Sequence, residues 1–152
     1  MNAAFLITPK SSVKYVYDHW TLRQALEKME HYRYSSIPVL NKSGLYIGTL
    51  TEGDVLWELK RCNTISFKET REILVRDVPR YRDVPAISID EEIENILVSS
   101  LTKNFVPIVD DLGVFIGIIR RREIISYLME ERKRVPENER VHTDATVPNE
   151  SY

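Results

Sequence analysis

Cysteine is nearly missing. Cys62 is the only one in 152 residues, which excludes an intrachain disulfide and a multi-cysteine metal site. No stretch approaches about 18 uninterrupted apolar residues, and the opening M-N-A-A-F-L-I-T-P-K lacks the basic-then-apolar order of a signal peptide. A cytoplasmic chain with no membrane partner is expected. Neither charge is in excess: 21 Lys and Arg against 23 Asp and Glu leave a net charge of -2. That balance supplies no global attraction to nucleic acid, and the aromatic residues are not interleaved with a basic stripe, so recognition of any nucleotide must be local. Catalytic signatures are missing too. His19, His31 and His142 stand apart, and the sequence holds no H-E-x-x-H, G-x-S-x-G or G-x-x-x-x-G-K. The expectation is a protein that is not an enzyme and carries no metal or other cofactor. At 43% hydrophobic and 29% charged residues, what remains is a globular chain with one domain's worth of core.

What is present is a repeat. Residues 34–59 read Y-S-S-I-P-V-L-N-K-S-G-L-Y-I-G-T-L-T-E-G-D-V-L-W-E-L, and 69 positions downstream the chain reads K-N-F-V-P-I-V-D-D-L-G-V-F-I-G-I-I-R-R-R-E-I-I-S-Y-L. Without a gap, Pro38 falls on Pro107, Gly44 on Gly113, Gly48 on Gly117 and Leu59 on Leu128. In the first copy Ile37 to Leu40 is a short apolar run, Asn41 to Gly44 supply turn residues, and Leu45 to Leu50 form a second run. Thr51 then opens a segment whose Val55, Leu56 and Leu59 recur at helical spacing. Upstream, Leu22, Ala25, Leu26 and Met29 mark one face of an earlier helix with Thr21 as its N-cap. The unit is helix, strand, strand, helix, and the fold class is α/β with two such units packed about a pseudo-twofold axis.

This pattern resembles the CBS domain, a small module that occurs in tandem and commonly binds adenosine-containing ligands. The resemblance covers roughly residues 5–130. It divides the chain into a first repeat over 5–62, a linker helix over 63–73, a second repeat over 74–132 and a flexible tail over 133–152, with sheets of about three strands. Its most specific element is G-T-L-T-E-G-D at Gly48 to Asp54, similar to the family's ribose-binding signature. The second copy, G-I-I-R-R-R-E, departs from it with Arg120 in place of Thr51 and Glu123 in place of Asp54.

The resemblance implies two inter-repeat clefts, assembled crosswise. Thr51 and Asp54 would work with Ala86, Ile87, Asn104, Phe105 and Val106; Arg120, Arg122 and Glu123 would work with Tyr15, Ser35, Ser36 and Ile37, with Thr8 and Val13 as further wall residues. Each assignment has a plainer reading. T-x-x-D before an apolar helical run is an ordinary capping box, while a carboxylate there can also accept ribose hydroxyls beside a helix N-terminus that holds phosphate. Arg120 to Arg122 are either a solvated charge run or a phosphate clamp that relieves cations placed against the helix dipole. Ser35 and Ser36 are either turn residues or adenine contacts, and Thr8, Val13 and Tyr15 either close a sheet edge or wall a cleft.

Further expectations concern the connections. Val13, Tyr15 and Tyr17 alternate as in a half-buried strand. Ser66 and Glu69 suit a capping box for the linker helix. Asp90 suits the N-cap of a helix carrying Ile93, Ile96 and Leu97, and the last helix runs out near Lys133. The function implied is a stand-alone regulatory sensor: a homodimer that binds an adenine nucleotide (AMP, ADP, ATP or cyclic di-AMP) and reports it to an unidentified effector protein. The alternatives are a constitutive interaction scaffold with degenerate clefts, or weak nucleic-acid binding through Arg120 to Arg122.

Overall fold

The structure is a computed structural model and describes residues 3–63, 66–81 and 83–136. The part of the expected tail from residue 137, with His142, lies outside the described residues.

The first repeat begins with β1 (Thr8–Pro9) and β2 (Val16–Tyr17), followed by α1 (Leu22–Tyr32), β3 (Ser36–Leu40), β4 (Tyr46–Thr51) and α2 (Glu52–Arg61). The second continues with β5 (Ile87–Ser88), α3 (Ile93–Ser100), β6 (Phe105–Val109), β7 (Phe115–Arg120) and α4 (Arg121–Arg134). Thr21 caps α1 as its position suggests: Gln24 N–H donates to Thr21 Oγ1, and Thr21 N–H donates back to Gln24 Oε1 at 2.9 Å. The β3–β4 and β6–β7 hairpins turn alike. Asn41 Oδ1 accepts from Ser43 and Leu45 N–H, Asp110 Oδ1 accepts from Leu112 and Val114 N–H, and Gly44 and Gly113 each take φ +82°, a region open chiefly to glycine. The two hairpins meet at a Leu45–Val114 bridge, where Phe115 N–H donates to Gly44 O at 3.0 Å and Tyr46 N–H to Gly113 O at 3.3 Å. These reciprocal bonds mark the pseudo-twofold axis.

The sheets are unequal. One has the order β2-β3-β4, the other β1-β7-β6-β5, so the second gains a fourth strand from the N-terminus. The repeats have in effect exchanged their leading segments. Ala3, with Leu6 and Ile7 against it, packs in the core of Ile93, Ile96, Val106, Ile108, Ile119 and Ile124, whereas Val75 and Val78 pack with Val16, Leu22, Ala25, Ile37, Val39 and Leu50. Residues 3–9 therefore join the second repeat by packing, and residues 75–78 join the first. A third cluster of Val13, Leu40, Phe115 and Ile118 lies between the sheets.

Four local expectations are corrected. Val13 and Tyr15 are not in a strand: only Val16 and Tyr17 pair, parallel to β3, because Lys10–Ser12 turn as a short 3-10 helix and Val13 drops into the inter-repeat cluster. The linker helix is a 3-10 segment, Phe67–Glu72, in which Glu69 N–H bonds the Ser66 backbone oxygen and no side-chain cap forms. α3 starts after Glu92, not Asp90, because Asp90 N–H is taken by Ser88 Oγ in the preceding turn. Leu56 is 58% exposed while Glu58 is buried, so the inward face of α2 is Val55, Glu58 and Leu59.

Tyr46 ties the segment before β5 to β4. Its hydroxyl donates to Val84 O at 2.6 Å and lies 2.7 Å from Thr49 Oγ1. Burial pushes this phenol well above the ordinary tyrosine range. Above pH about 10 the unfolded chain ionises this tyrosine while the folded chain keeps the proton, so the unfolded state binds fewer protons. Stability therefore falls with rising pH by about 1.4 kcal/mol per unit from this group. The stability advantage of wild type over Tyr46→Phe should narrow from pH 10 upwards; urea midpoints of both proteins between pH 8 and 11 check this, and a constant gap would refute it.

Candidate functional site

Two clefts open on either side of one shared wall. The first, of about 380 Å³, is lined by Thr49, Thr51, Glu52, Gly53, Val84, Thr102 and Lys103; the second, of about 410 Å³, by Val13, Arg33, Tyr34, Pro38, Ile118, Arg120 and Arg122. Ser35, Ser36, Asn104 and Phe105 line both. The wall exists because each strand before its proline is pinned to the helix start beside it: Glu52 N–H donates to Ser35 O at 3.0 Å, and Arg121 N–H donates to Asn104 O at 2.9 Å. These are equivalent bonds in the 69-residue register. Each cleft is thus lined by the first residues of one helix, α2 in the first and α4 in the second, which brings the positive end of that helix dipole beside it.

The T-x-x-D turn is a complete capping box. Asp54 N–H donates to Thr51 Oγ1 at 3.1 Å and Thr51 N–H to Asp54 Oδ2 at 3.0 Å. The second carboxylate oxygen, Oδ1, accepts from Tyr81 N–H at 3.3 Å. Asp54 is buried and is not among the residues lining the first cleft. Thr51 is. Both oxygens of Asp54 keep a second lone pair, so the engaged carboxylate still has acceptor capacity.

Of the residues singled out in the sequence, Thr51, Ser35, Ser36, Asn104, Phe105, Val13, Arg120 and Arg122 reach a cleft. Ile37 and Val106 point into the cores. Ile87 lies on β5, paired with Ile108, and Val84 takes the place at the first cleft that Ala86 and Ile87 were to hold. Thr8 sits on β1 opposite Ile118, and the Tyr15 ring packs edge-on to Tyr17 and Phe115. Glu123 lies outside the second cleft, 3.8 Å from Arg122. Arg121 faces away: its Nε donates to Ser100 O and Lys103 O and so closes the end of α3. Arg33, Tyr34, Thr102 and Lys103 were missed, although the signal was available, since they are the residues just before Ser35 and Asn104 in the same repeat.

A strap crosses β4 beside the first cleft. Asp83 Oδ1 accepts from Thr49 and Val84 N–H, and Arg80 Nε donates to Asp83 Oδ2 at 3.2 Å. Among the described residues no group of three or more His, Cys, Asp or Glu could hold a metal ion, and no helix is long and apolar enough to cross a membrane.

Fold and clefts define a tandem pair of α/β modules that share an interface with two binding-sized cavities. The chain belongs to the CBS domain family, whose model matches residues 6–61 and 75–130. It is 28% identical over 145 residues to the uncharacterized protein MJ1225 of Methanocaldococcus jannaschii, covering 88% of this chain and 50% of that protein; the chain therefore spans half the length of this curated relative. Among solved structures it is similar to the CbpB protein of Listeria monocytogenes in complex with c-di-AMP, with a TM-score of 0.75, 24% identity and coverage of 87% of this chain and 98% of that one. It is also similar to CBSX2 in complex with AMP, with a TM-score of 0.67, 18% identity and coverage of 86% and 98%. At these identities the likeness shows the fold.

Proposed function

We propose that this CBS pair is a regulatory, non-catalytic sensor of an adenine nucleotide, which enters one or both inter-repeat clefts. The observation that carries the reading is the shared wall of Ser35, Ser36, Asn104 and Phe105 beside two helix N-termini. A purine can lie against Phe105 and exchange hydrogen bonds with the polar wall, while the helix N-terminus receives phosphate. The c-di-AMP complex of CbpB and the AMP complex of CBSX2 support the ligand class. In the first cleft Thr51 faces the ligand and Asp54 takes the ribose hydroxyls, with the Tyr81 N–H bond to Asp54 yielding as they bind. The output is a change in the orientation of the repeats, or of two copies in a homodimer, read by a partner protein. A ligand drives that change only by binding one arrangement more tightly than the other.

Isothermal calorimetry at fixed salt with AMP, ADP, ATP, c-di-AMP and S-adenosylmethionine tests this on ligand-free protein. Micromolar binding of at least one adenine nucleotide is expected, weakened about tenfold or more in Asp54→Asn, which keeps the side-chain volume but removes the charge. Absence of heat from every ligand on folded wild-type protein would sink the sensor reading.

A further inference from the structure

The two clefts are built from equivalent positions, yet they differ systematically in charge. In the 69-residue register Thr51 corresponds to Arg120, Gly53 to Arg122, and Thr102 to Arg33. The first member of each pair lines the first cleft and the second lines the second. The charged residues of the first cleft are Glu52 and Lys103, which cancel; those of the second are Arg33, Arg120 and Arg122, with no carboxylate among its lining residues.

This arrangement works against the fold when the cleft holds no anion. Arg120 stands at the N-cap of the 14-residue α4 without making any side-chain cap, where Thr51 in the first repeat makes a complete one. Arg120 and Arg122 also place two cations at the positive end of that helix. Arg33 adopts φ 58° as the C-cap of α1, a left-handed conformation that glycine takes without strain. Neither Arg33 nor Arg120 has an ion-pair partner among the described residues, and Arg122 has only the 3.8 Å contact with Glu123. Three departures from what would stabilise the local structure converge on one cavity.

We propose that the second cleft is a polyphosphate subsite: it selects nucleotides that present two or more phosphate groups, with Arg33, Arg120 and Arg122 as the specificity-determining residues, while the first cleft accepts a nucleoside with one phosphate or none. The nucleoside part of this assignment rests on the adenine-nucleotide reading above; the polyphosphate part rests on the arginines alone.

Two substitutions remove charge while favouring the fold. Arg33→Gly relieves the left-handed φ, and Arg120→Thr supplies the N-cap that α4 lacks. Calorimetry with adenosine, AMP, ATP and inorganic tripolyphosphate, without divalent cations, is paired with thermal melts. Wild type should bind ATP at least about tenfold more tightly than AMP, and each substitution should lower ATP affinity about tenfold at an unchanged or raised melting temperature. Binding of tripolyphosphate that depends on Arg33 and Arg120, with no gain from adenosine, would keep the polyphosphate subsite and remove the adenine reading. Adenosine, AMP and ATP binding alike, or ATP affinity unmoved in both variants, would overturn the subsite and leave the adenine reading standing.

Discussion

Phe115→Ala is expected to remove about 4 kcal/mol of unfolding free energy, and to lower the unfolding midpoint of the first repeat although the residue belongs to the second. Phe115 is 1% exposed and sits in the cluster of Val13, Leu40 and Ile118 that joins the two sheets. Its ring stacks with that of Tyr46 at 6.2 Å and 24°, and meets Tyr15 edge-on at 6.3 Å. Tyr46 and Phe115 occupy the same position of the two copies, so this pair packs the pseudo-twofold axis itself. Truncation leaves a cavity where neither sheet can collapse without sliding the Leu45–Val114 bridge. Both tryptophans, Trp20 and Trp57, lie in the first repeat, which makes their fluorescence a reporter of that half alone. Urea titration should show the tryptophan transition moving down together with the far-ultraviolet circular dichroism. A tryptophan transition that stays in place while dichroism is lost early would mean that the repeats are stabilised independently.

Much of this was legible in the chain because it is local. The hairpins follow from apolar runs flanking Asn41-Lys42-Ser43-Gly44 and its copy, and Thr21 and Thr51 cap their helices through residues three positions away. The residues two and three places before each proline were named through the family resemblance, and Ser35, Ser36, Asn104 and Phe105 line both clefts, whereas Ile37 and Val106 turn into the cores. What was not legible is long-range. Nothing near Thr8 says that it pairs with Ile118, or that residues 75–78 complete the core of the preceding repeat. One carboxylate oxygen of Asp54 is engaged by the backbone of Tyr81, 27 positions away. The start of α3 was missed for a different reason: Asp90-Glu91-Glu92 offers three acidic residues in a row, and the choice among them is made by the Ser88 hydroxyl, which accepts from Asp90 N–H. Arg33 at a left-handed C-cap contradicts local preference, and contradictions of that kind concentrate where binding sites are.

The repeat places Gly48 and Gly117 at equivalent points of β4 and β7, yet alanine should be tolerated at one and not at the other. A Cβ on Gly117 would fall on the Thr8 carbonyl oxygen, 2.8 Å from Ile7 Cγ2 and 3.2 Å from Pro9 Cα. Two of these three atoms are backbone of β1, held against β7 in the Thr8–Ile118 and Pro9–Gly117 register, so only peeling off the strand makes room. Peeling would also withdraw Ala3, Leu6 and Ile7 from the second core. Gly117→Ala should cost about 3 kcal/mol. A Cβ on Gly48 would instead meet Arg80 Nε at 2.5 Å and Asp83 Oδ1 at 2.6 Å, the ends of two flexible side chains. Their pair is partly exposed and contributes under about 1 kcal/mol, so Gly48→Ala should cost about that much. Its larger consequence is functional: turning Asp83 away breaks its bond with Thr49 N–H and loosens Val84 at the first cleft. Affinity at that cleft should therefore change in Gly48→Ala, while the second keeps its wild-type affinity. Urea midpoints for the two variants, with ligand titrations of Gly48→Ala, test both statements. An equal or larger stability loss at Gly48 would show that the strap is as rigid as a strand.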